Sequence, residues 1–128
     1  MQFFNDATID INQGFYDLAI FHADQALQLY LKAVLLELFA FEARFHGLRS
    51  LLSYLSKFLR ENGYQENARE IDELTSKFRE YLITLESSYI DSRYGDIEYD
   101  KSLAEEILSL TDKIIKKIEE IVKRVKLG

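Results

Sequence analysis

The feature that most constrains this chain is the stretch Phe21 to Phe41, FHADQALQLYLKAVLLELFAF, whose apolar residues cover almost every direction of a helix. From Ala26 onward only Gln28, Lys32 and Glu37 interrupt the apolar run. A helix with so narrow a polar stripe is stable only when several neighbours cover it, so the stretch predicts the central helix of a bundle. A membrane span is the sharp alternative. Asp24, Lys32 and Glu37 break it, and no run of about 18 apolar residues exists.

Around this helix the apolar periodicity predicts others. Phe4, Ala7, Thr8 and Ile11 suggest a short first helix ending near Gly14, a residue suited to a left-handed C-terminal position. Asp17 is placed to cap the central helix, read from about Leu18 to Phe45 and closed near Gly47. A third helix carries Leu48, Leu51, Leu52, Leu55, Phe58 and Leu59 on one face and stops at Asn62 and Gly63. A fourth carries Ala68, Ile71, Leu74, Phe78, Tyr81, Leu82, Leu85 and Tyr89. After Ile90 the period is lost, and Asp91 to Asp100, DSRYGDIEYD, reads as the one substantial loop. The last helix opens with Ser102 three residues before Glu105, a capping-box spacing, and buries Leu103, Ile107, Leu110, Ile114, Ile118, Ile121 and Val125. The expectation is one all-α domain over residues 1–128, an up-and-down helical bundle of about five helices.

Composition agrees and excludes. Proline is absent and only five glycines occur, so breakers are few and helices long. With no cysteine there is no disulfide, thiolate catalysis or cysteine-ligated metal. The N-terminal MQFFNDATID lacks the basic flank and apolar run of a signal peptide, which makes a cytoplasmic protein the expectation. The net charge of −6 disfavours broad attraction to nucleic acid. It is unevenly placed: residues 44–60 hold four bases and no acid, residues 61–112 fourteen acids and five bases, and residues 113–128 six bases and two acids. Solvated helix faces, with bases near helix C-termini, account for this better than a phosphate-binding surface.

Signatures of chemistry are sparse. There is no phosphate-binding glycine loop and no pair of Glu-x-x-His elements, the only histidines being His22 and His46. Glu42 and His46 are too few to argue a metal, and a helix-end ion pair is the better reading. His22 reads as a structural histidine, His46 as a helix cap, and Gln25 and Lys32 as packing or interface groups. The loop is the better candidate, because Tyr89, Tyr94 and Tyr99 surround Arg93, with Asp91, Asp96 and Glu98 close by. A guanidinium between aromatic rings holds phosphate and stacks a base. The alternative, which the residues alone favour, pairs Arg93 with Asp91 or Asp96 while the tyrosines pin the loop to the bundle.

The pattern Phe21-His22-Ala23, Gln25-Ala26, Lys32-Ala33 and Leu35-Leu36, followed by His46 and Leu48, resembles the HEPN domain family. Ser92-Arg93-Tyr94-Gly95-Asp96 and the KSLAEE opening of the last helix resemble its second half. The resemblance implies a small helical bundle, commonly a homodimer, often encoded beside a minimal nucleotidyltransferase as a toxin and antitoxin pair. Many relatives are metal-independent ribonucleases that carry an Arg, four to six residues, then His. Counted from Arg93, those positions are Glu98, Tyr99 and Asp100, and no histidine follows His46. A tyrosine, titrating near pH ~10, is a poor general base at neutral pH.

The resulting expectation is a non-catalytic protein of this kind, with no catalytic residue, no metal and no membrane. It binds an ATP-like nucleotide, a minimal nucleotidyltransferase partner, or both, through Arg93, Tyr94, Asp96 and Tyr99. Arg93 contacts phosphate, and Tyr94 or Tyr99 stacks, hydrogen-bonds, or offers a hydroxyl that a partner modifies. Two alternatives stand beside it. One is a ribonuclease toxin with a degenerate active site, in which Tyr99 or a partner's residue replaces the histidine. The other is a purely structural dimer whose basic helices dock an acidic partner.

Overall fold

The computed structural model describes residues 16–94 and 101–127. Five helices account for nearly all of them: α1 (Tyr16–Phe39), α2 (Leu48–Glu61), α3 (Gln65–Lys77), α4 (Arg79–Tyr94) and α5 (Lys101–Leu127). The architecture is the expected all-α bundle. Helix α1 is central, packing against α2, α4 and α5, while α3 lies against α2 and α5. The expected N-terminal helix and Gly14 fall outside the described residues. Among the described residues no helix is long and apolar enough to cross a membrane.

The core follows the predicted stripes. Ile20, Leu27, Leu31 and Leu35 of α1 are fully buried, as are Leu48, Leu51, Leu52 and Leu55 of α2 and Ile71, Leu82 and Leu85 of α3 and α4. From α5 come Ile107, Ile114, Ile118, Ile121 and Val125, with Ala104, Thr111 and Val122 beside them; Leu103 stays exposed and Leu110 is half-buried. Burial of a large aliphatic side chain stabilises by roughly 1.5–3 kcal/mol, so these stripes set the topology.

The boundaries differ from expectation in four places besides the end of α4, which runs on to Tyr94. Helix α1 ends at Phe39, because Ala40 adopts φ 52 and its N–H turns back to Leu36 O at 2.9 Å. This is a left-handed helix stop built without glycine, at a cost of about 1–2 kcal/mol. The apolar residues beyond it pack as a connection instead, with the Phe41 ring 5.0 Å from Phe58 and the Phe45 ring 4.8 Å from Tyr54. Such ring pairs contribute about 0.5–1.5 kcal/mol each, which offsets the strained residue. Gly47 accordingly does not close α1; it precedes α2, accepting the Leu51 N–H on its carbonyl at 2.9 Å.

The single helix expected over 68–89 is divided at Phe78, with φ −105 and ψ 20. Thr75 Oγ1 donates to Ile71 O at 2.8 Å just before the break, a back-bond that bends helices. At the other two places helices begin early. Helix α1 opens at Tyr16, which puts Asp17 inside it rather than in front, and α5 opens at Lys101, which puts Ser102 in its first turn rather than at its cap. The stop of α2 is as expected: Gly63, at φ 87, and Tyr64 donate to Arg60 O and Leu59 O, and Asn62 Nδ2 donates to Phe58 O at 2.7 Å.

Candidate functional site

Two carboxyl-bearing positions interrupt the apolar surfaces of α1 and α4. Asp24 stands one turn before Gln28 on α1, and both are buried, at 2% and 7% exposure. Gln28 Nε2 donates to Asp24 Oδ2 at 2.8 Å, as the four-residue helical step allows. The other oxygen, Asp24 Oδ1, has no hydrogen-bond partner among the described residues. Burial pushes the Asp24 carboxyl up to about 7, the Gln28 bond opposes the rise, the Glu86 charge adds to it, and the nearby Gln25 amide opposes it further.

Glu86 comes from α4 and closes the N-terminus of α2. Its Oε1 accepts the Arg49 N–H at 2.8 Å, and its Oε2 accepts Arg49 Nε at 2.7 Å. A carboxylate there satisfies an otherwise unpaired donor and complements the helix dipole. Gly47 lies beside this contact, where a Cβ on it would meet Glu86 Oε1 at an ordinary packing distance of 3.6 Å. His46, exposed at the end of the preceding connection, receives a hydrogen bond from Lys32 Nζ on Nδ1 at 2.8 Å. With an ammonium donating to Nδ1, the ring carries its own proton on Nε2 and presents a donor there. His46 is therefore not the helix cap expected from sequence, and Glu42 shares its non-helical connection.

These groups enclose a cavity of about 500 Å³ lined by Phe21, Asp24, Gln25, Gln28, His46, Gly47 and Glu86. It combines one aromatic wall, one unpaired buried acceptor and two amides. Among the described residues no three His, Asp or Glu side chains converge as a metal site. The chemistry on offer is recognition of a ligand that donates hydrogen bonds.

The residues singled out in the sequence are only partly placed. Arg93 and Tyr94 are the last two residues of α4, so Asp91 to Tyr94 is helical and not loop. Asp96 and Tyr99 lie outside the described residues. Arg93 follows Glu86 by seven residues, two helical turns and about 10 Å along the axis, a step that returns the backbone to nearly the same side. The backbone of α4 thus connects the cavity to the arginine. Asp24, Gln28 and Glu86 were not among the expected site residues. The signal available for them was a carboxylate one turn ahead of a glutamine in a helix that is otherwise apolar.

Much of the positive charge of α2 and α5 is already engaged. Besides Arg49, Arg60 pairs with Asp72 at 2.8 Å, Arg124 with Glu70 at 2.6 Å, and Lys126 with Glu37. Exposed pairs of this kind contribute about 0–1 kcal/mol each, but they leave less unpaired charge for an acidic partner.

No curated protein and no solved structure matches the chain significantly. A family model described as the HEPN domain matches residues 1–121, from the N-terminus to the last turns of α5. With that match spanning nearly the whole bundle, the chain belongs to the HEPN domain family.

Proposed function

We propose that this chain is a non-catalytic HEPN protein that binds a nucleotide, with Arg93 taking phosphate, and that acts as a homodimer or as the partner of a minimal nucleotidyltransferase. The observation that carries the reading is the missing proton-transfer group. The positions that would follow Arg93 with a histidine hold Glu98, Tyr99 and Asp100. Tyr94 and Tyr99, near Arg93 in sequence, offer rings and hydroxyls to the bound nucleotide, with Asp96 the nearby acid.

Association is supported by α1 itself. Leu18, Leu29 and Leu36 are 41%, 47% and 55% exposed, and their spacing of eleven and seven residues sets them along one line of the helix. The test is calorimetric titration of ATP into wild type and Arg93→Ala, with the subunit count read by sedimentation in the same buffer. The expected outcome is a dimer that binds ATP, with binding lost in the variant. No binding by wild type at millimolar ligand, or equal binding by both, sinks the nucleotide reading.

A further inference from the structure

We infer that the Asp24 cavity is a nucleobase subsite, which takes the exocyclic amino group of a base on the free Asp24 oxygen while the ring lies against Phe21. The inference rests on the nucleotide reading above and gives it a second, separate contact point.

The cavity is of a size for such a ligand, since small-molecule sites run from about 300 to 1,000 Å³. Among the described residues that line it, the one buried polar atom without a hydrogen-bond partner is an acceptor. Asp24 is buried to 2% exposure, lines the cavity, and keeps Oδ1 without a partner, although a buried polar atom left unpaired costs about 1–3 kcal/mol. A ligand N–H directed at Oδ1 removes that cost and stabilises the charged carboxylate against the neighbouring Glu86. The remaining polarity is mixed. Gln25 and Gln28 carry amides that both donate and accept, which suits a base edge, where an amino group sits beside a ring-nitrogen acceptor.

A guanidinium or ammonium fits less well. It needs several acceptors, and both Glu86 oxygens are already taken by Arg49. The position of the cavity completes the argument. Glu86 lines it, and the backbone of Arg93 lies two turns further along the same helix, about 10 Å along its axis.

The test is calorimetric titration of adenosine, N6,N6-dimethyladenosine, uridine and methylguanidine, at roughly pH 8.5 where the Asp24 carboxylate is charged, into the full chain and into Asp24→Leu. Leucine is close in shape and removes the acceptor. Adenosine is expected to bind wild type about tenfold or more tighter than the dimethyl analogue or uridine, both of which lack an exocyclic N–H, and Asp24→Leu is expected to abolish that preference.

Equal binding of the three nucleosides to wild type overturns the inference, and this arm stands even if the variant does not fold. Adenosine binding that survives Asp24→Leu overturns it too, as does tighter binding of methylguanidine than of adenosine. ATP binding that depends on Arg93, with no adenosine binding at millimolar ligand, overturns the base subsite and leaves the nucleotide reading standing. Adenosine binding through Asp24, with ATP indifferent to Arg93→Ala, supports the subsite and overturns the phosphate role of Arg93.

Discussion

Asp24 on α1 and Tyr81 on α4 both carry polar atoms into the interior of the bundle, and their surroundings treat them in opposite ways. Tyr81 Oη lies 3.0 Å from Ile107 O and bonds with Thr111 Oγ1, whose own hydrogen goes to Ile107 O at 2.8 Å. Every polar atom of that cluster is satisfied within the fold, and burial holds the phenol well above its ordinary titration range. Asp24 has one oxygen bonded to Gln28 and the other left open, toward a cavity instead of a neighbouring helix. A closed polar cluster fixes how helices dock; an open one costs stability and keeps an acceptor available. The same core therefore holds a structural polar site between α4 and α5 and a candidate binding site between α1 and α4.

The contrast breaks most readily at Asp24. The folded chain keeps the Asp24 proton up to about pH 7, while an unfolded chain releases it near 3.8. Between those values the folded state binds more protons, so stability falls as pH rises through this window and is level above it. Asp24→Asn, which mimics the protonated carboxyl and keeps a bond to Gln28, is expected to stabilise the protein by up to about 4 kcal/mol at pH 8. The gain shrinks toward zero near the unfolded-state value. Among the described residues, Glu86, His46 and Tyr81 are titratable groups facing this carboxyl, and urea unfolding of both proteins across the range isolates its share. A gain that does not vary with pH contradicts the open-cluster assignment.

Glu86→Gln probes the wall between the two clusters. It weakens the charge-assisted bonds that close the N-terminus of α2, at an expected cost of about 1–2 kcal/mol, with Arg49 partly exposed. It also removes a charge that raises the Asp24 carboxyl, so the pH window should end at a lower pH than in wild type. Unfolding curves over the same pH series read both effects. The smallest change is expected from Tyr81→Phe, about 1 kcal/mol for a lost hydrogen bond, because Thr111 and Ile107 remain bonded to each other. That cost should be constant from pH 5 to 9 and should leave adenosine binding unchanged, which separates the closed cluster from the open one.

How much of this was legible in the sequence depends on the kind of information each feature needs. The buried faces of α2 and α5 repeat at three and four residues and end at residues with an evident reason to stop, Asn62 and Gly63 for α2. The end of α1 was not legible, because Ala40 takes a left-handed conformation that alanine does not advertise. The apolar run continues through Phe41 and Phe45 only because these rings pack on Tyr54 and Phe58. The break at Phe78 leaves the apolar stripe intact, so periodicity passes across it. Of the residues expected from sequence to bind, Arg93 was visible beside its tyrosines. Asp24 was visible only as a polar interruption, since its meaning depends on Glu86, sixty-two residues away in the chain, and on His46 from a connection that periodicity read as helix.

By itself the sequence determined the family, the all-α class, the central place of the Phe21 to Phe41 stretch and the absence of a histidine beyond Arg93. Those properties reside in residue identity and in short-range spacing, which helical geometry converts directly into buried faces. The tertiary structure decided which face of α1 stays uncovered, where the helices stop, and that Asp24, Gln28 and Glu86 enclose one cavity. Whether a carboxylate is solvated, bonded or left open is a property of everything packed around it, and it is settled only when distant helices meet.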